Sequence, residues 1–270
     1  MATVILVRHG RTTANASGML AGRMAGVKLD ETGTTQAQRA ADRIAAVPLA
    51  AILSSPLERC RQTAKAILAA QEAASPRPGA KAATKAATKA GAAKLGQLRV
   101  VGEKGITECD YGDWQGRPLK DLAKEPLWKT VQSHPSAATF PGGESMSTMQ
   151  SRSVSAIRGH DAAIEAEYGA DAVWVAVSHG DIIKSVLADA LGMHLDLFQR
   201  ISVDPASVSI IRYTAARPYV LASNTHDGDL SWLRVAAAKA RKSAAVASGD
   251  APVGGGAGPE VAPSPTSARP

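Results

Sequence analysis

Cysteine is nearly absent from this chain: Cys60 and Cys109 are the only two thiols in 270 residues. Two cysteines build no disulfide framework and no CxxC metal motif, so neither a disulfide-stapled secreted scaffold nor a zinc-ribbon module is expected. Each adjoins a residue of chemical interest, Arg59 and Glu108. A redox lock stands against the plainer expectation of two small buried hydrophobes, and the plainer one is preferred. Long apolar runs are also missing. Nothing is long enough to span a bilayer, and the N-terminal run meets Arg8 too soon to be a signal-peptide core. A cytoplasmic protein without membrane contact is expected. Also missing is a glycine-rich turn after the first apolar run, where RHGRTT stands instead, which disfavours a Rossmann dinucleotide site.

What is present suffices for a core, since 45% of the residues are hydrophobic. The net charge of +7 suggests a polyanion binder until the charge is located. Residues 73 to 96 hold Arg77, Lys81, Lys85, Lys89 and Lys94 and no acid, while residues 234 to 270 hold five basic side chains against Asp250 and Glu260. The remainder is close to neutral, so the basic character belongs to two appendages. The first, SPRPGAKAATKAATKAGAAKLG, is a low-complexity lysine/alanine-rich insertion. A weak polyanion contact through Lys81, Lys85 and Lys89 is weighed there against a plain solvated segment, and the latter is preferred. The second is an Ala/Gly/Pro/Ser-rich stretch at residues 236 to 270, too poor in large apolar groups to fold and expected to be a flexible tail. A catalytic domain is therefore expected over residues 1 to 235.

Within that domain apolar runs alternate with helical patterns. TVILV (3–7), AAIL (50–53), LRVV (98–101), AVWVAV (172–177), SVSIIRY (207–213) and YVLASN (219–224) read as strands. Helical spacing appears around Ala37–Ile44, Ala64–Leu68, Met146–Tyr168 and Ile182–Ala190. The order predicts an α/β three-layer sandwich with a mostly parallel central sheet and helices on both faces.

In such sheets ligands bind beyond the carboxyl ends of the strands. Two predicted strands end alike: VILV in Arg8, His9 and Gly10, and VWVAV in Ser178, His179 and Gly180. The second runs into a helix whose N-terminal N–H groups suit an anion. SSPLERCRQTA places Arg59 in the first turns of another helix, and arginine's planar fork grips phosphate oxygens in pairs, so Arg8 and Arg59 together suit a tetrahedral dianion. Arg61 would point away. In ITECDYGDWQG, Glu108 is a candidate general acid, with Asp110 and Asp113 as competitors. Glu144 in FPGGES is read as a carboxylate favouring a helix dipole. Residues 117–139 form a candidate lid, in which Lys120, Lys124, Lys129 and Trp128 either meet substrate or belong to a plain amphipathic cover.

These stretches together resemble the histidine phosphatase superfamily, also called phosphoglycerate mutase-like. The resemblance rests on RHGxTxxN at 8–15, SSPLxRxxQTA at 54–64, TExxxGxWxG at 107–116, PGGES at 141–145 and SHG at 178–180, in the family's order. It covers about residues 1 to 225 without the insertion. The resemblance implies that His9 is a nucleophile forming a phosphohistidine. It further implies that Arg8, Arg59 and His179 surround the phosphoryl group, that Asn15 hydrogen-bonds to it and that Glu108 donates the proton. Gly22, Arg23 and Gly180 are expected at the phosphate-binding edge, and no metal or other cofactor is expected. The mutases of the family carry Arg-His-Tyr after the acidic residue, whereas Cys109, Asp110 and Tyr111 follow Glu108 here. The expectation is therefore a phosphatase acting on a small-molecule phosphomonoester, with a mutase or a phosphate-sensing polyanion binder as alternatives.

Overall fold

The structure, a computed structural model, describes residues 2–74 and 98–234. Its central strand, β1 (Thr3–Arg8), is the first apolar run and is buried along almost its whole length. There follow in chain order α1 (Thr13–Ala16), α2 (Glu31–Ile44), β2 (Ala51–Ser54), α3 (Glu58–Ala74), β3 (Val100–Gly102), α4 (Leu119–Leu122), α5 (Pro126–Ser133), α6 (Met146–Tyr168), β4 (Val173–Ser178), α7 (Gly180–Ala190), β5 (Val208–Tyr213) and β6 (Pro218–Thr225). The six strands make one sheet in the order β3-β2-β4-β1-β5-β6. The four strands from β3 to β1 run parallel, and β5 alone is reversed, antiparallel to both β1 and β6. The sheet is thus mostly parallel, as expected for strands so uniformly apolar.

Side chains alternate along each strand, and the two faces feed separate cores. On one face Val4, Leu6, Trp174 and Ala176 pack with Met146, Met149 and Ile157 of α6 and Ile183, Val186 and Leu187 of α7. On the other, Ile5, Val7, Ile52, Val175 and Val177 pack with Ala41 and Ile44 of α2 and Cys60, Ala64 and Ile67 of α3. Helices therefore cover both faces, giving the three-layer α/β sandwich.

Strand ends shift by a residue or two from the sequence reading. The β3 strand starts at Val100 rather than at Leu98. Tyr168, counted in the apolar stripe of α6, closes that helix and is 38% exposed, because the stripe has drifted off the core by its last turn. The insertion beyond Ala74, with Lys81, Lys85 and Lys89, and the tail at 236–270 lie outside the described residues. Among the described residues no helix is long and apolar enough to cross a membrane.

Candidate active site

Strands β1 and β4 pair in parallel with Arg8 opposite Ser178. One residue further on, each chain delivers a histidine to the same edge. The His9 and His179 rings lie 5.2 Å apart, edge to face, and the His9 N–H donates to the Ser178 carbonyl at 3.0 Å. Glycine is required next: a Cβ on Gly10 would sit 2.2 Å from the Gly33 carbonyl oxygen. The Gly10 N–H donates to Thr63 Oγ1 on α3 at 3.2 Å.

His9 is almost fully buried, and its Nδ1 lies 2.7 Å from the Gly10 carbonyl oxygen. A carbonyl only accepts, so Nδ1 carries the proton and Nε2 presents a lone pair. Arg59 Nε donates to that Nε2 at 3.2 Å. Burial first, and then the charges of Arg59 and Arg8, hold His9 well below the ordinary histidine range against the opposing pull of the Gly10 carbonyl. The imidazole is neutral.

Arg59 is only 3% exposed on the first turn of α3, where Ser55 and Pro56 lead the chain into the helix. Its Nη2 donates to the Gly22 carbonyl at 2.8 Å and lies 3.2 Å from His179 Nδ1. Guanidinium nitrogens only donate, so Nδ1 accepts and the His179 proton sits on Nε2, 2.8 Å from Ser55 Oγ. Burial, followed by Arg59, His9, Arg8 and Arg152, pushes His179 well below its usual range. Arg8 is anchored through Nη1 to the Val203 carbonyl at 2.7 Å, while its buried Nε has no partner. Its guanidinium lies along Gly180, 3.6 Å from where a Cβ would be. The helix α7 starts there, and its N-cap His179 makes no side-chain capping bond. An unpaired buried arginine donor beside uncapped helix N–H groups forms a cradle for an anion.

Glu108 closes the other side. Its Oε1 accepts the Cys109 N–H at 3.0 Å, and its Oε2 lies 3.7 Å from His179 Nδ1. Burial and then the Asp181 charge raise its pKa to about 7, despite Arg59, the Cys109 N–H and Arg8 pulling the other way. A carboxyl group in this state is protonated in about half of the molecules at neutral pH. The site thus combines a neutral imidazole whose Nε2 lone pair faces Arg59, fixed arginines and a carboxyl group with a raised pKa.

The model of the histidine phosphatase superfamily (branch 1) matches residues 4–79 and 80–226. The chain belongs to this superfamily. Among relatives in the superfamily, phosphoserine phosphatase 1 of Hydrogenobacter thermophilus is 27% identical over 83% of this chain and 92% of its own. Phosphoglycerate mutase-like protein 4 of Arabidopsis thaliana is 28% identical over 68% of this chain and 69% of its own. The fold is shared with a mycobacterial glucosyl-3-phosphoglycerate phosphatase at a TM-score of 0.66 and 23% identity, covering 83% of this chain and 98% of that one. An α-ribazole phosphatase structure from Shigella flexneri superposes at a TM-score of 0.65 with 22% identity, covering 83% of this chain and 96% of that one.

Other superfamily motif residues are placed less directly. Asn15 is exposed, and its Oδ1 accepts the Thr12 N–H and hydroxyl, closing a capping box on α1. A bond to an anion would have to come from its Nδ2 end. Gly22 faces Arg59 with its carbonyl. Arg23 spends its fork on the Glu108 carbonyl, Asp110 and Glu144, at 2.8, 3.3 and 2.8 Å. Arg61 is exposed, Asp110 pairs with Arg23, and Asp113 faces solvent.

Glu144 does more than favour a helix dipole. Its carboxylate takes Arg23, two bonds from Arg152 and the Asp110 N–H, and Arg152 also reaches the Glu108 carbonyl at 3.1 Å. Burial alone would raise the Glu144 pKa, but Arg152, the Asp110 N–H and Arg23 outweigh it and hold the group below the usual carboxylate range. This clasp fixes the loop that carries Glu108. In the lid, Trp128 stacks on Trp114 at 6.2 Å and Lys124 pairs with Asp121, so both serve the cover itself. Cys60 and Cys109 are buried free thiols. Burial pushes the Cys60 thiol up to about 12 although its Sγ is 3.4 Å from His179 Nε2, which keeps it unreactive at neutral pH.

Proposed function

We propose that this protein hydrolyses small-molecule phosphomonoesters in two displacements through a phosphohistidine on His9. The observation that carries the reading is the set His9 Nε2, Arg59 Nε at 3.2 Å and buried Glu108 beside His179, its pKa raised to about 7. In the first displacement the His9 Nε2 lone pair forms the P–N bond while the P–O bond to the leaving group breaks. Glu108 gives its proton to the departing oxygen. Arg8, Arg59 and the α7 N-terminus carry the charge on the non-bridging oxygens. In the second, water attacks phosphorus, its proton passes to the Glu108 carboxylate and the P–N bond breaks. One difficult transfer becomes two easier ones.

Hydrolysis rather than transfer back to the substrate is favoured by residues 109–111. Cys109 and Tyr111 are buried, and the Tyr111 hydroxyl is bound to Asp181, so this stretch offers no cation to hold the substrate's second anionic group. Phosphoserine, α-ribazole phosphate and glucosylphosphoglycerate appear in the names of similar phosphatases. All three are phosphomonoesters on alkyl or sugar oxygens and belong in a first substrate panel.

The test is steady-state release of inorganic phosphate from 4-nitrophenyl phosphate and from phenyl phosphate, with and without a chelator. Phenol leaves poorly, with a pKa of about 10 like the tyrosine side chain. Glu108→Gln should therefore lose about 10²- to 10⁴-fold on phenyl phosphate and far less on the nitrophenyl ester. Equal losses on both would remove Glu108 from the role of proton donor. No phosphate release by the parent would remove the hydrolase reading.

A further inference from the structure

Tyr111 and Asp181 lie outside the steps above, yet they touch the same corner of the site. The Tyr111 hydroxyl donates to Asp181 Oδ2 at 2.7 Å. Tyr111 is three residues past Glu108 on the same loop, is buried, and is wedged edge-on against Phe140 at 4.9 Å. Asp181 is two residues past His179, in the first turn of α7, and its side chain is 26% exposed. The loop of Glu108 and the start of α7 thus meet at two points, Glu108 Oε2 with His179 Nδ1 at 3.7 Å and Tyr111 with Asp181.

We infer that Asp181, oriented by Tyr111, is a positioning residue whose negative charge makes Glu108 keep its proton until a leaving oxygen takes it. This rests on the reading of Glu108 as the proton donor. The charged and titratable groups around Glu108 are Arg8 from β1, Arg59 and Cys60 from α3, Cys109 and Tyr111 from its own loop, and His179 and Asp181 from α7. Arg23 and Arg152 meet only its backbone carbonyl. Of these, Asp181 is the one nearby carboxylate. Without it burial alone opposes the two arginines, which favour the ionised form. Lys184 Nζ, on the same helix, lies 3.9 Å from Asp181 Oδ1, donates to Gln199 at 3.0 Å and lies over the Phe198 ring. The tyrosine bond fixes the carboxylate in place without cancelling its charge.

The sign follows directly. The reaction needs Glu108 protonated, so kcat/KM falls as pH rises through the Glu108 pKa, about 7 in the parent. Asp181→Asn keeps an acceptor for Tyr111 but removes the charge, and should move that high-pH limb about one unit lower, a loss of about tenfold at a fixed pH above it. The loss should be larger with phenyl phosphate than with 4-nitrophenyl phosphate and should shrink as pH falls. Asp181→Glu should restore the limb. The substrate's own second ionisation, near about 6, is common to every variant and cancels in the comparison.

The experiment is the pH profile of kcat/KM for parent, Asp181→Asn, Asp181→Glu and Glu108→Gln on both aryl phosphates. A limb that stays in place in Asp181→Asn, or a loss equal at every pH and for both esters, overturns the inference. If Glu108→Gln retains the limb, the reading of Glu108 as donor fails as well. If Glu108→Gln abolishes the limb while Asp181→Asn leaves it unmoved, only the role of Asp181 falls.

Discussion

Replacing His9 by alanine should reduce phosphate release by about 10⁴-fold or more, because the reaction loses its nucleophile and no neighbour can substitute. His179 faces the same pocket, but its Nδ1 accepts from Arg59 and its Nε2 is held at Ser55. The Cys60 thiol is also close and is kept protonated by burial. What remains is direct attack by water, assisted only by the arginines and the α7 N-terminus. His9 contributes one ring to a site edge otherwise held by the β1 and β4 ladder, so the variant should fold. Its thermal unfolding compared with the parent checks this, and a loss of less than about tenfold with the fold intact would contradict the assignment.

Arg59→Ala carries the second large effect, about 10³-fold in kcat/KM. One guanidinium touches His9 Nε2, His179 Nδ1 and the Gly22 carbonyl. It therefore aligns the nucleophile, orients the second imidazole and stabilises the phosphoryl oxygens together. Arg59→Lys should recover little, since a point charge cannot serve three partners from a planar fork. The pH profile adds a signed check. His9 must be neutral to attack, so activity is lost as pH falls through its pKa. Burial, Arg59 and Arg8 depress that pKa in the parent. Removing Arg59 lifts one of these depressions, and the low-pH limb should move upward. An unmoved limb would place Arg59 away from His9 in the working enzyme.

Much of this site was legible in the sequence because the chemistry sits at strand ends. Four or five apolar residues running into RHG and SHG predict two parallel strands that expose their histidines at one edge, and β1 and β4 pair in that register. Arg59 was legible for a similar reason, since Ser-Pro before it starts a helix aimed at the same edge. The supports of Glu108 were not legible. Arg23, Glu144 and Arg152 lie on a loop, a turn and a long helix far apart in the chain, and only the fold makes them one clasp. The contact of Tyr111 with Asp181 is hidden in the same way. Trp128, left by the sequence between a substrate contact and a plain amphipathic cover, stacks on Trp114 of a different loop, a partner that local pattern does not show. Local pattern reports which edge a residue reaches; it does not report which distant side chain it meets there.

The proposed reaction passes through a covalent bond between phosphorus and His9 Nε2, and the most direct measurement is to trap it. A phosphate-labelled substrate is mixed with excess protein, quenched in alkali within milliseconds to seconds, and the label is mapped by peptide. The account predicts label that is stable to alkali, lost in acid, carried on the peptide containing His9 and absent from His9→Ala. Product formed in that single turnover with no labelled protein at any quench time, or with label on another residue, would contradict it.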